Sequence, residues 1–573
     1  MNKNKIKTII SLLLITLIFS VFGTSLEAYA KEDDLVSEFV NNNSSTDEIV
    51  YINYSKDGVK NSISINSDDE TYFEWGNSSS LLVWISLMQL EEQGKLDLDK
   101  SISEYLSDEF NEAVTIGYPI SVTHLMNHNA GFQQNLYEIV VNGSEITKYN
   151  GLEELLINNV PKQIYAPGNT VAYSDYGVTL AAYIVECVSG LSYEEYVVQN
   201  IFEPLGLEHS LVNGVASENS NLFSPYYPAY MVVTTAPDMN SVICDLCSDN
   251  PVLMSASERD KFFSSTLNYH NSEAIRNAHG LFGYELGINV IGLESTSING
   301  HTCNFYIDPV SKDYLLVNSA NFRETLFANG AKEAMFGSFE AAESSDLTDY
   351  KGLYIASNTI TKGKQSFMNL LSSASLSSGA DGNLYRGNKT VPYITGVGDG
   401  MGIMNDGTVV HIYKDPNYQK RIELPHMELL EFSLLTYYLE IVILILQVFG
   451  YVFASGLLLF ALFRFLYLLI KKDLGKAPAF RKYMYIQCGN ITIMSIFFGL
   501  MYILSSAYAS YNSINFGALM YWVGSLLSLV YIVFFVRTGK NENASKLEKV
   551  LYIVTFVFSF VNVMFAIMFH LIF

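Results

Sequence analysis

The distribution of apolar residues divides the chain into a globular part and a membrane part. Within residues 71–94 (TYFEWGNSSSLLVWISLMQLEEQG), eight of the ten residues from Leu81 to Leu90 are apolar. They cover almost the whole circumference of a helix, which predicts a helix packed on all sides inside a domain. Gly76 predicts a sharp turn into this helix, Asn77 is expected to cap its first turn, and Gly94 is expected to end it.

Shorter patterns on either side of this helix predict strands. Apolar and polar residues alternate in residues 49–54 and 59–65, and Lys56, Asp57 and Gly58 separate the two segments, which predicts an antiparallel hairpin. A helix-rich stretch follows the predicted buried helix. Residues 346–428 contain short strand-like segments separated by Gly, Asp and Asn turns, which predicts a separate small β-rich domain.

The last quarter of the chain, residues 429–573, predicts a membrane domain. Its apolar runs are about 20 residues long, which is enough to span a bilayer. Four spans are predicted, at about 441–470, 483–508, 517–537 and 550–572. Four spans place both basic loops in the cytoplasm and the large domain outside, as the positive-inside rule requires. A break of the first run at Gly450 would add a fifth span and invert this arrangement.

The role of four spans is left open by the sequence, because one helix is enough to anchor a domain. Plain anchoring and an interface with a membrane-protein partner are the two interpretations. Gly524 and Ser528 form a small-xxx-small pair that favours close helix packing. No charged group lies at the centre of spans two to four, which argues against a proton or ion pathway. The main polar side chains within the spans are Gln447, Gln487, Asn490 and Asn562.

The N-terminal residues predict a secretion signal. Three lysines within the first seven residues precede an apolar run at 9–22, and Ala28, Tyr29 and Ala30 form an A-x-A cleavage motif. Residues 1–30 are therefore expected to be removed, leaving residues 31–345 as a large extracellular domain. The protein is expected to be a multi-pass membrane protein in contact with the lipid bilayer.

Charge restricts the partners of the extracellular part. The whole chain carries a formal charge of −24, yet residues 1–30 carry +2 and residues 429–573 carry +5, so residues 31–428 carry −31. So acidic a segment argues against nucleic acid and anionic lipid surfaces as partners. It permits attraction of cationic peptides, although such a charge is more often simply that of a soluble acidic surface.

The cysteines do not predict a disulfide framework or a metal centre. Cys244 and Cys247 form a C-x-x-C motif, but they lie in a helical-looking stretch that lacks a second such motif or paired histidines. Reduced core residues are expected, with no metal and no cofactor. The five cysteines are Cys187, Cys244, Cys247, Cys303 and Cys488.

Residues 73–80, FEWGNSSS, with the helix that follows, resemble the start of the serine β-lactamase-like family. This family comprises class C β-lactamases and penicillin-binding-protein-like peptidases and esterases, and its pattern is F-x-x-G-Ser-x-x-Lys. The serine attacks a carbonyl, and the lysine one turn later keeps it deprotonated. Asn77 stands at the serine and Ser80 at the lysine, so both members of the activated pair are replaced.

Two further segments resemble conserved motifs of the family, here called the second and third boxes, and both are also altered. Residues 165–210 follow the second box, where Tyr173 stands at the tyrosine that helps to move the proton and Asp175 replaces the usual asparagine. Residues 298–322 resemble the third box, with His301 at the Lys/His position. Cys303 occupies the place of a glycine that lets the strand approach the substrate, and its thiol is expected to crowd the pocket or narrow its rim.

A fourth segment, SVTHLMNHNAGF at residues 121–132, is also similar to the family pattern. His124 and His128 are four residues apart on it, but no third metal ligand lies on the same helix, so structural hydrogen bonds are expected for both.

The resemblance implies an α/β serine β-lactamase-like domain, with an antiparallel sheet flanked by helices and a helical subdomain. The small β-rich domain and a C-terminal α-helical membrane bundle would follow. The leading hypothesis is a pseudoenzyme on the bacterial cell surface, whose cleft binds a cell-wall stem peptide or a secreted peptide without acyl transfer, in an immunity, resistance or sensing role. The residues expected to line this cleft are Asn77, Ser80, Tyr173, Asp175 and His301.

Two alternatives remain open at this point. In the first, the domain is an active serine hydrolase of altered mechanism, with Ser80 as nucleophile, His301 as base and Asp175 as the orienting carboxylate. In the second, the membrane bundle is the functional part, and the chain is an accessory subunit of a transporter or peptide export system.

Overall fold

The architecture is described from a computed structural model of the 573-residue chain. It covers residues 35–571, with gaps at 44–47, 135, 143–148, 217–221, 321–324, 342, 372, 388–390, 399, 473–478, 539–544 and 570. The predicted secretion signal at residues 1–30 therefore lies outside the described residues.

The large N-terminal domain is built on an eight-stranded sheet in which every neighbouring pair is antiparallel. The central strand Tyr314–Ala320 is buried at all seven positions, whereas the edge strand Val59–Ile65 is mostly exposed and carries Lys60. A charged, polar edge strand of this kind discourages pairing with other chains. From edge to edge the strands are Val59–Ile65, Ile49–Lys56, Tyr314–Ala320, Thr302–Ile307, Asn289–Leu293, Leu281–Glu285, Ile275–Ala278 and Leu267–Asn268.

Helices cover this sheet and form a helical subdomain. Helix Ser80–Glu92 is buried from Ser80 to Leu90, as its apolar circumference predicts, and it packs against helix Asp175–Ser189. The other α-helices of the domain are Leu35–Asn43, Asp108–Ala113, Val122–Met126, Leu152–Asn158, Tyr193–Val197, Glu203–Leu205, Tyr227–Tyr230, Ala236–Leu246, Ala256–Phe262 and Thr325–Phe336. Short 3₁₀-helical turns lie at Gly76–Ser79 and Ile102–Glu104, and a π-helical turn lies at Val198–Phe202.

Two small sheets complete the domain. One pairs Tyr72–Glu74 and Ser210–Leu211 with Val233–Thr235, and the other pairs Val141–Asn142 with Leu222–Phe223. The first of them leads directly into the turn at Gly76 and so fixes the direction from which the buried helix begins.

Residues 352–432 form a closed antiparallel barrel of eight strands. The first strand pairs with the last, so the barrel has no free edge. The last strand extends four residues past the predicted domain end at 428. In order the strands are Gly352–Ala356, Ala374–Ser378, Leu384–Arg386, Ile394–Gly398, Met401–Met404, Val409–Lys414, Lys420–Glu423 and Glu428–Phe432, with short helical turns at Thr348–Tyr350 and Ser366–Leu371.

A buried ion-pair network joins the barrel to the large N-terminal domain. Arg276, at the sheet, lies 2.8 Å from a carboxylate oxygen of Glu423 and 3.1 Å from one of Glu428, both on barrel strands. Arg421 pairs with the second oxygen of Glu428 at 3.0 Å. The backbone bridge between Ala172 and Met427 lies beside these contacts. The barrel is therefore fixed to the wall of the domain that carries Tyr173.

Four long apolar helices form the C-terminal bundle. They are Leu434–Ile470, Ala479–Ser506, Tyr511–Thr538 and Lys546–Met568, and each contains a stretch long and apolar enough to span a membrane. The first begins seven residues before the predicted start at 441, because Ser433 caps the helix by accepting a hydrogen bond from the Thr436 amide. The number of long apolar helices agrees with the predicted number of spans.

The amide side chains inside the bundle make hydrogen bonds across helices. Gln447 Nε2 lies 2.5 Å from Asn562 Oδ1, and Gln487 Nε2 donates to the hydroxyls of Ser528 and Ser559 at 2.8 and 3.0 Å. A Cβ atom at Gly524 would lie only 2.5 Å from the Met494 side chain, so this glycine permits the close approach that its small-xxx-small spacing indicates.

Candidate functional site

The start of the buried helix is held against the sheet by Gly76. Its φ angle is +53°, and a Cβ atom there would lie 2.5 Å from Ser295 Oγ and 2.8 Å from the Ser297 amide nitrogen. The hydroxyl of Ser78 then donates to the carbonyl of Cys303 at 2.8 Å. The helix start and strand Thr302–Ile307 are thus joined directly, and together they form one side of the cleft.

Asn77 does not cap the helix, contrary to the prediction. Its Nδ2 atom instead donates to the Tyr173 hydroxyl at 2.9 Å, with a longer contact of 3.4 Å to Asp175 Oδ1. The amides of this turn receive no side-chain cap. The residue at the nucleophile position therefore faces the cleft and is engaged with the second box.

Ser80 is fully buried, and its hydroxyl donates to the Asn77 carbonyl oxygen at 2.9 Å. A serine hydroxyl that donates to its own helix backbone is a satisfied polar group. It supplies no base to position 77, and its own proton is directed at a carbonyl oxygen that cannot remove it.

Asp175 is buried, and every donor that reaches its carboxylate is neutral. Gln134 Nε2 donates to Oδ2 at 3.2 Å, and hydrogen bonds from Tyr230 and Tyr173 add to the contact with Asn77. Burial raises the pKa of Asp175 to about 6, against the opposing effect of these hydrogen bonds. The cleft therefore contains a desolvated carboxyl group with no ion-pair partner among the described residues.

Tyr173 is unsuited to act as a base near neutral pH. Burial, and then the nearby Asp175 carboxylate, raise the pKa of the phenol well above its ordinary value, and the hydrogen bond from Asn77 offsets this only in part. A catalytic tyrosine of this kind would need a cationic neighbour that lowers its pKa.

His301 lies just before strand Thr302–Ile307, beside strand Tyr72–Glu74. Its backbone amide donates to Ser297 Oγ at 3.0 Å, its ring lies edge-on to Phe73, and its Nδ1 atom is buried without a hydrogen-bond partner. Burial lowers the pKa of the imidazole, and the charge of Glu74 opposes this shift. His301 is therefore neutral near pH 7.

The expectation that Cys303 crowds the cleft is wrong. Its side chain points into the core, where Sγ lies 3.1 Å from the sulfur of Met239 on helix Ala236–Leu246. Successive side chains of a strand alternate between its faces. The cysteine is therefore a small buried core residue and contributes only its backbone carbonyl, as the acceptor for Ser78.

The structure does not assemble the alternative Ser-His-Asp set. In the part of the chain that it describes, no hydrogen bond joins any two of Ser80, His301 and Asp175. Ser80 is bound to the Asn77 carbonyl, and Asp175 is surrounded by amides and phenols. The geometry that nucleophile activation requires is absent from these residues.

His128 departs from the hydrogen-bonding role expected for it. Neither ring nitrogen has a hydrogen-bond partner, and the ring lies between Tyr173 and Phe282, with centroid distances of 4.5 and 5.3 Å. Burial lowers its pKa to about 3, so it is a neutral aromatic support beneath Tyr173. His124, in contrast, accepts from the Ser121 amide in a capping box, as expected of a structural histidine.

Three residues that contact Asp175 or Tyr173 are not predicted by the sequence. Gln134 and Tyr230 bind Asp175, and the carbonyl of His426 in the barrel accepts from the Tyr173 amide at 3.1 Å. Each comes from a segment outside the recognisable boxes, and no spacing in the sequence marks it. Among the described residues, no group of three or more His, Cys, Asp or Glu side chains is arranged to hold a metal ion.

Comparison with known proteins identifies the domain that carries this cleft. The family model described as Beta-lactamase matches residues 48–333. Residues 48–333 belong to the β-lactamase family. The serine β-lactamase-like resemblance is thereby confirmed, as is the predicted fold class of an α/β domain with sheet and helices followed by a bundle of four apolar helices.

Individual relatives agree with this family. A putative penicillin-binding protein of Bacillus subtilis, PbpX, is 28% identical over 193 residues, covering 32% of this chain and 46% of the relative. A putative D-alanyl-D-alanine carboxypeptidase of Escherichia coli O157:H7 is 31% identical over 133 residues, 22% of this chain and 30% of the relative. The chain thus spans less than half the length of these relatives. The octameric penicillin-binding protein homologue from Pyrococcus abyssi is 18% identical, with a TM-score of 0.42, over 71% of this chain and 99% of that structure.

Proposed function

We propose that this β-lactamase-family protein is a membrane-anchored extracellular pseudoenzyme, which binds a peptide in its cleft without acyl transfer. The observation that carries the proposal is the bonding of Asn77. Its amide occupies the nucleophile position and donates to Tyr173, while Ser80 donates to the Asn77 carbonyl. A carboxamide has no ionisable nucleophile, so the Asp175 carboxylate, 3.4 Å from Asn77 Nδ2, has none to activate there, and the Ser80 hydroxyl proton is directed at a carbonyl oxygen.

The chemistry of the cleft favours a ligand with a free ammonium group. Asp175 is a buried carboxyl group whose partners are all neutral, and a cation at hydrogen-bond distance would favour its charged form. Asn77, Tyr173 and Tyr230 are partly exposed and offer amide and phenol groups to a peptide backbone. One relative is named as a putative D-alanyl-D-alanine carboxypeptidase, which makes a lysine-containing D-alanyl peptide the first ligand to test.

The contacts of the bundle support an extracellular position for the cleft. The extracellular domain and the barrel contact Tyr508, between the second and third spans, and Phe569, at the end of the fourth. The basic residues Lys471, Lys472 and Lys546 lie at the opposite ends of the spans. Positive residues favour the cytoplasmic side, so the cleft would lie outside.

Fluorescent penicillin and a soluble peptide test the two halves of the proposal. The full chain is expected to show no covalent labelling, and a penicillin adduct on a cleft serine would contradict the assignment as a pseudoenzyme. The peptide Nα-acetyl-Lys-D-Ala-D-Ala is expected to bind, and Asp175→Asn is expected to weaken its binding at least tenfold. Asp249→Asn, at a 94% exposed carboxylate, is the matched control and is expected to change nothing. Equal binding by both variants would overturn the role of Asp175.

A further inference from the structure

The cleft is connected to the membrane bundle by a short stretch of the extracellular domain. Gln134 donates from its side chain to Asp175, and four residues later the Glu138 amide donates to the Tyr508 carbonyl at 2.9 Å. Consecutive Cα atoms are 3.8 Å apart, so the Cα atoms of Gln134 and Glu138 lie at most about 15 Å from each other. Tyr508 lies in the loop between the second and third spans. The cleft is thus held close to the end of the bundle.

A second connection runs through the first long loop of the barrel, residues 357–371. The Gln134 amide donates to the Asn358 carbonyl at 2.8 Å, and Gln133 Nε2 donates to the Lys362 carbonyl at 2.7 Å. At the other end of this loop, Ser366 donates to the Phe569 carbonyl at 2.8 Å. Two independent segments therefore fix the height of the cleft above the spans.

Apolar packing reinforces the second connection. Phe367 is 5% exposed, and its ring lies 5.5 Å from that of Phe498 on the second span. It belongs to a buried cluster with Tyr521 and Phe565 from the third and fourth spans. A barrel side chain that fills the end of the bundle restricts tilting of the domain on its anchor, since separation would expose this aromatic surface to water.

A cavity of about 430 Å³ lies beside the first connection. One wall is formed by Glu138, Val140, Val141 and Leu222 of the extracellular domain, and the other by loop residues 507–510. Its volume is within the range of small-ligand pockets. On the domain side, three apolar side chains adjoin Glu138, and the cavity lies beside the loop that joins the second and third spans. In a membrane, this loop would lie at the boundary between lipid and water.

We propose that the cleft takes a peptide held at the outer surface of the membrane, with its ammonium group at Asp175 and its membrane-proximal part in the cavity between the domain and loop 507–510. The inference rests on the proposed function and specifies the class of its ligand. A ligand confined to the membrane surface would meet the cleft at a raised effective concentration, because the two connections keep Asp175 within reach of that surface.

Binding of three peptides to the full chain in phosphatidylcholine nanodiscs tests this proposal. The soluble probe is Nα-acetyl-Lys-D-Ala-D-Ala, the anchored probe is its Nα-palmitoyl form with a short linker, and the third is the anchored probe with the lysine Nε acetylated. After subtraction of binding to empty nanodiscs, the anchored probe is expected to bind at least tenfold more tightly than the soluble one. The Nε-acetylated probe is expected to lose this gain.

Ala507→Trp is the discriminating variant, since Ala507 is exposed and lines the cavity. It is expected to remove the advantage of the anchored probe and to leave binding of the soluble probe unchanged, which also shows that the domain is folded. Val310→Trp, at an 87% exposed turn of the sheet, is the matched control. Equal affinity for soluble and anchored probes would overturn the membrane inference alone. Failure of the folded protein to bind either probe would overturn the proposed function and this inference with it.

Discussion

Asn77 Nδ2 lies 2.9 Å from the Tyr173 hydroxyl oxygen and donates its hydrogen to it. By their resemblance to the family motifs, the two residues correspond to the nucleophile and proton-transfer positions, and the contact between them is a hydrogen bond between two neutral groups. The phenol accepts, and it faces no lysine ammonium that would lower its pKa. The cleft is consequently organised around the desolvated carboxyl group of Asp175.

Restoring the catalytic pair is expected to restore slow acylation. Asn77→Ser with Ser80→Lys rebuilds Ser-x-x-Lys at a helix start already placed by Gly76. The introduced lysine must reach Tyr173 or Asp175, because an unpaired buried ammonium is costly. We expect weak labelling by fluorescent penicillin from the double variant and none from either single variant.

Adding Asp175→Asn is expected to increase this labelling, because a carboxylate beside the lysine would hold it protonated. Cys303→Gly is not expected to help, since the thiol packs on Met239 and its removal leaves a cavity in the core. A folded triple variant without any labelling would show that the cleft has diverged beyond these three positions.

Asp175 is expected to lower the stability of the free protein at neutral pH. Its pKa is about 6 in the folded chain, above an unfolded value of roughly 3.9, so its ionisation favours unfolding as the pH rises through this window. Asp175→Asn should therefore raise the unfolding temperature at pH 7.5 more than at pH 4. The corresponding gain in the free energy of unfolding is at most about 3 kcal/mol. An equal shift at both pH values would contradict this assignment.

The same carboxylate gives ligand binding a pH dependence. An ammonium group binds the ionised form, so affinity for the lysine peptide is expected to rise as the pH increases from 5 to 7. Calorimetry on the wild-type chain and on Asp175→Asn compares the two profiles. A flat profile in the wild type would show that Asp175 does not bind the ammonium group, and a retained slope in the variant would show that another group titrates.

Removing the buried cation between domain and barrel is expected to be strongly destabilising. Arg276→Met leaves Glu423 without its partner and Glu428 with Arg421 alone, and breaking a buried ion pair in this way costs about 3–5 kcal/mol. Thermal unfolding in detergent is expected to show the barrel separating at lower temperature. Lys60→Met on the exposed edge strand is the control, and a similar effect of both changes would argue against the network.

Gly280 lets the buried helix approach the sheet. A matched pair of alanine variants can test this role. A Cβ atom at Gly280 would lie 2.6 Å from the Trp84 ring, whereas one at Gly300 meets nothing within 4 Å, although both glycines have positive φ angles. Gly300→Ala measures the backbone strain alone. Gly280→Ala is expected to destabilise the domain by about 1–3 kcal/mol more, since overpacking forces the core to move.

Local patterns predict the elements of the fold better than the partners of the site. The hairpin at 49–65 follows from a periodicity of two, and the buried helix follows from a continuous apolar run that covers almost its whole circumference. Both patterns depend only on neighbouring residues. The family boxes bring Asn77, Tyr173 and Asp175 together correctly. The side-chain direction of Cys303 was missed because a strand has two faces, and the sequence alone does not say which of them meets the core.

Contacts between distant segments were not predictable in the same way. Gln134 reaches Asp175 from a loop, and His426 reaches Tyr173 from the barrel, in each case through pairings that depend on the packing of whole domains. A polar residue in a loop carries no periodic signal of its partner. The barrel was predicted as a separate β-rich unit, but its share in the cleft wall becomes visible only in three dimensions.

The Arg276 network also restricts which rearrangements of this chain would leave a stable protein. Loss of residues 346–432 would leave an intact β-lactamase-like sequence, yet Arg276 would then face water through a surface shaped for Glu423 and Glu428, and the Tyr173 amide would lose its acceptor at His426. Recombination that joins this domain to a different C-terminal module would have to replace both carboxylates at once. The domain and the barrel are therefore expected to remain stable only when they are kept or replaced together.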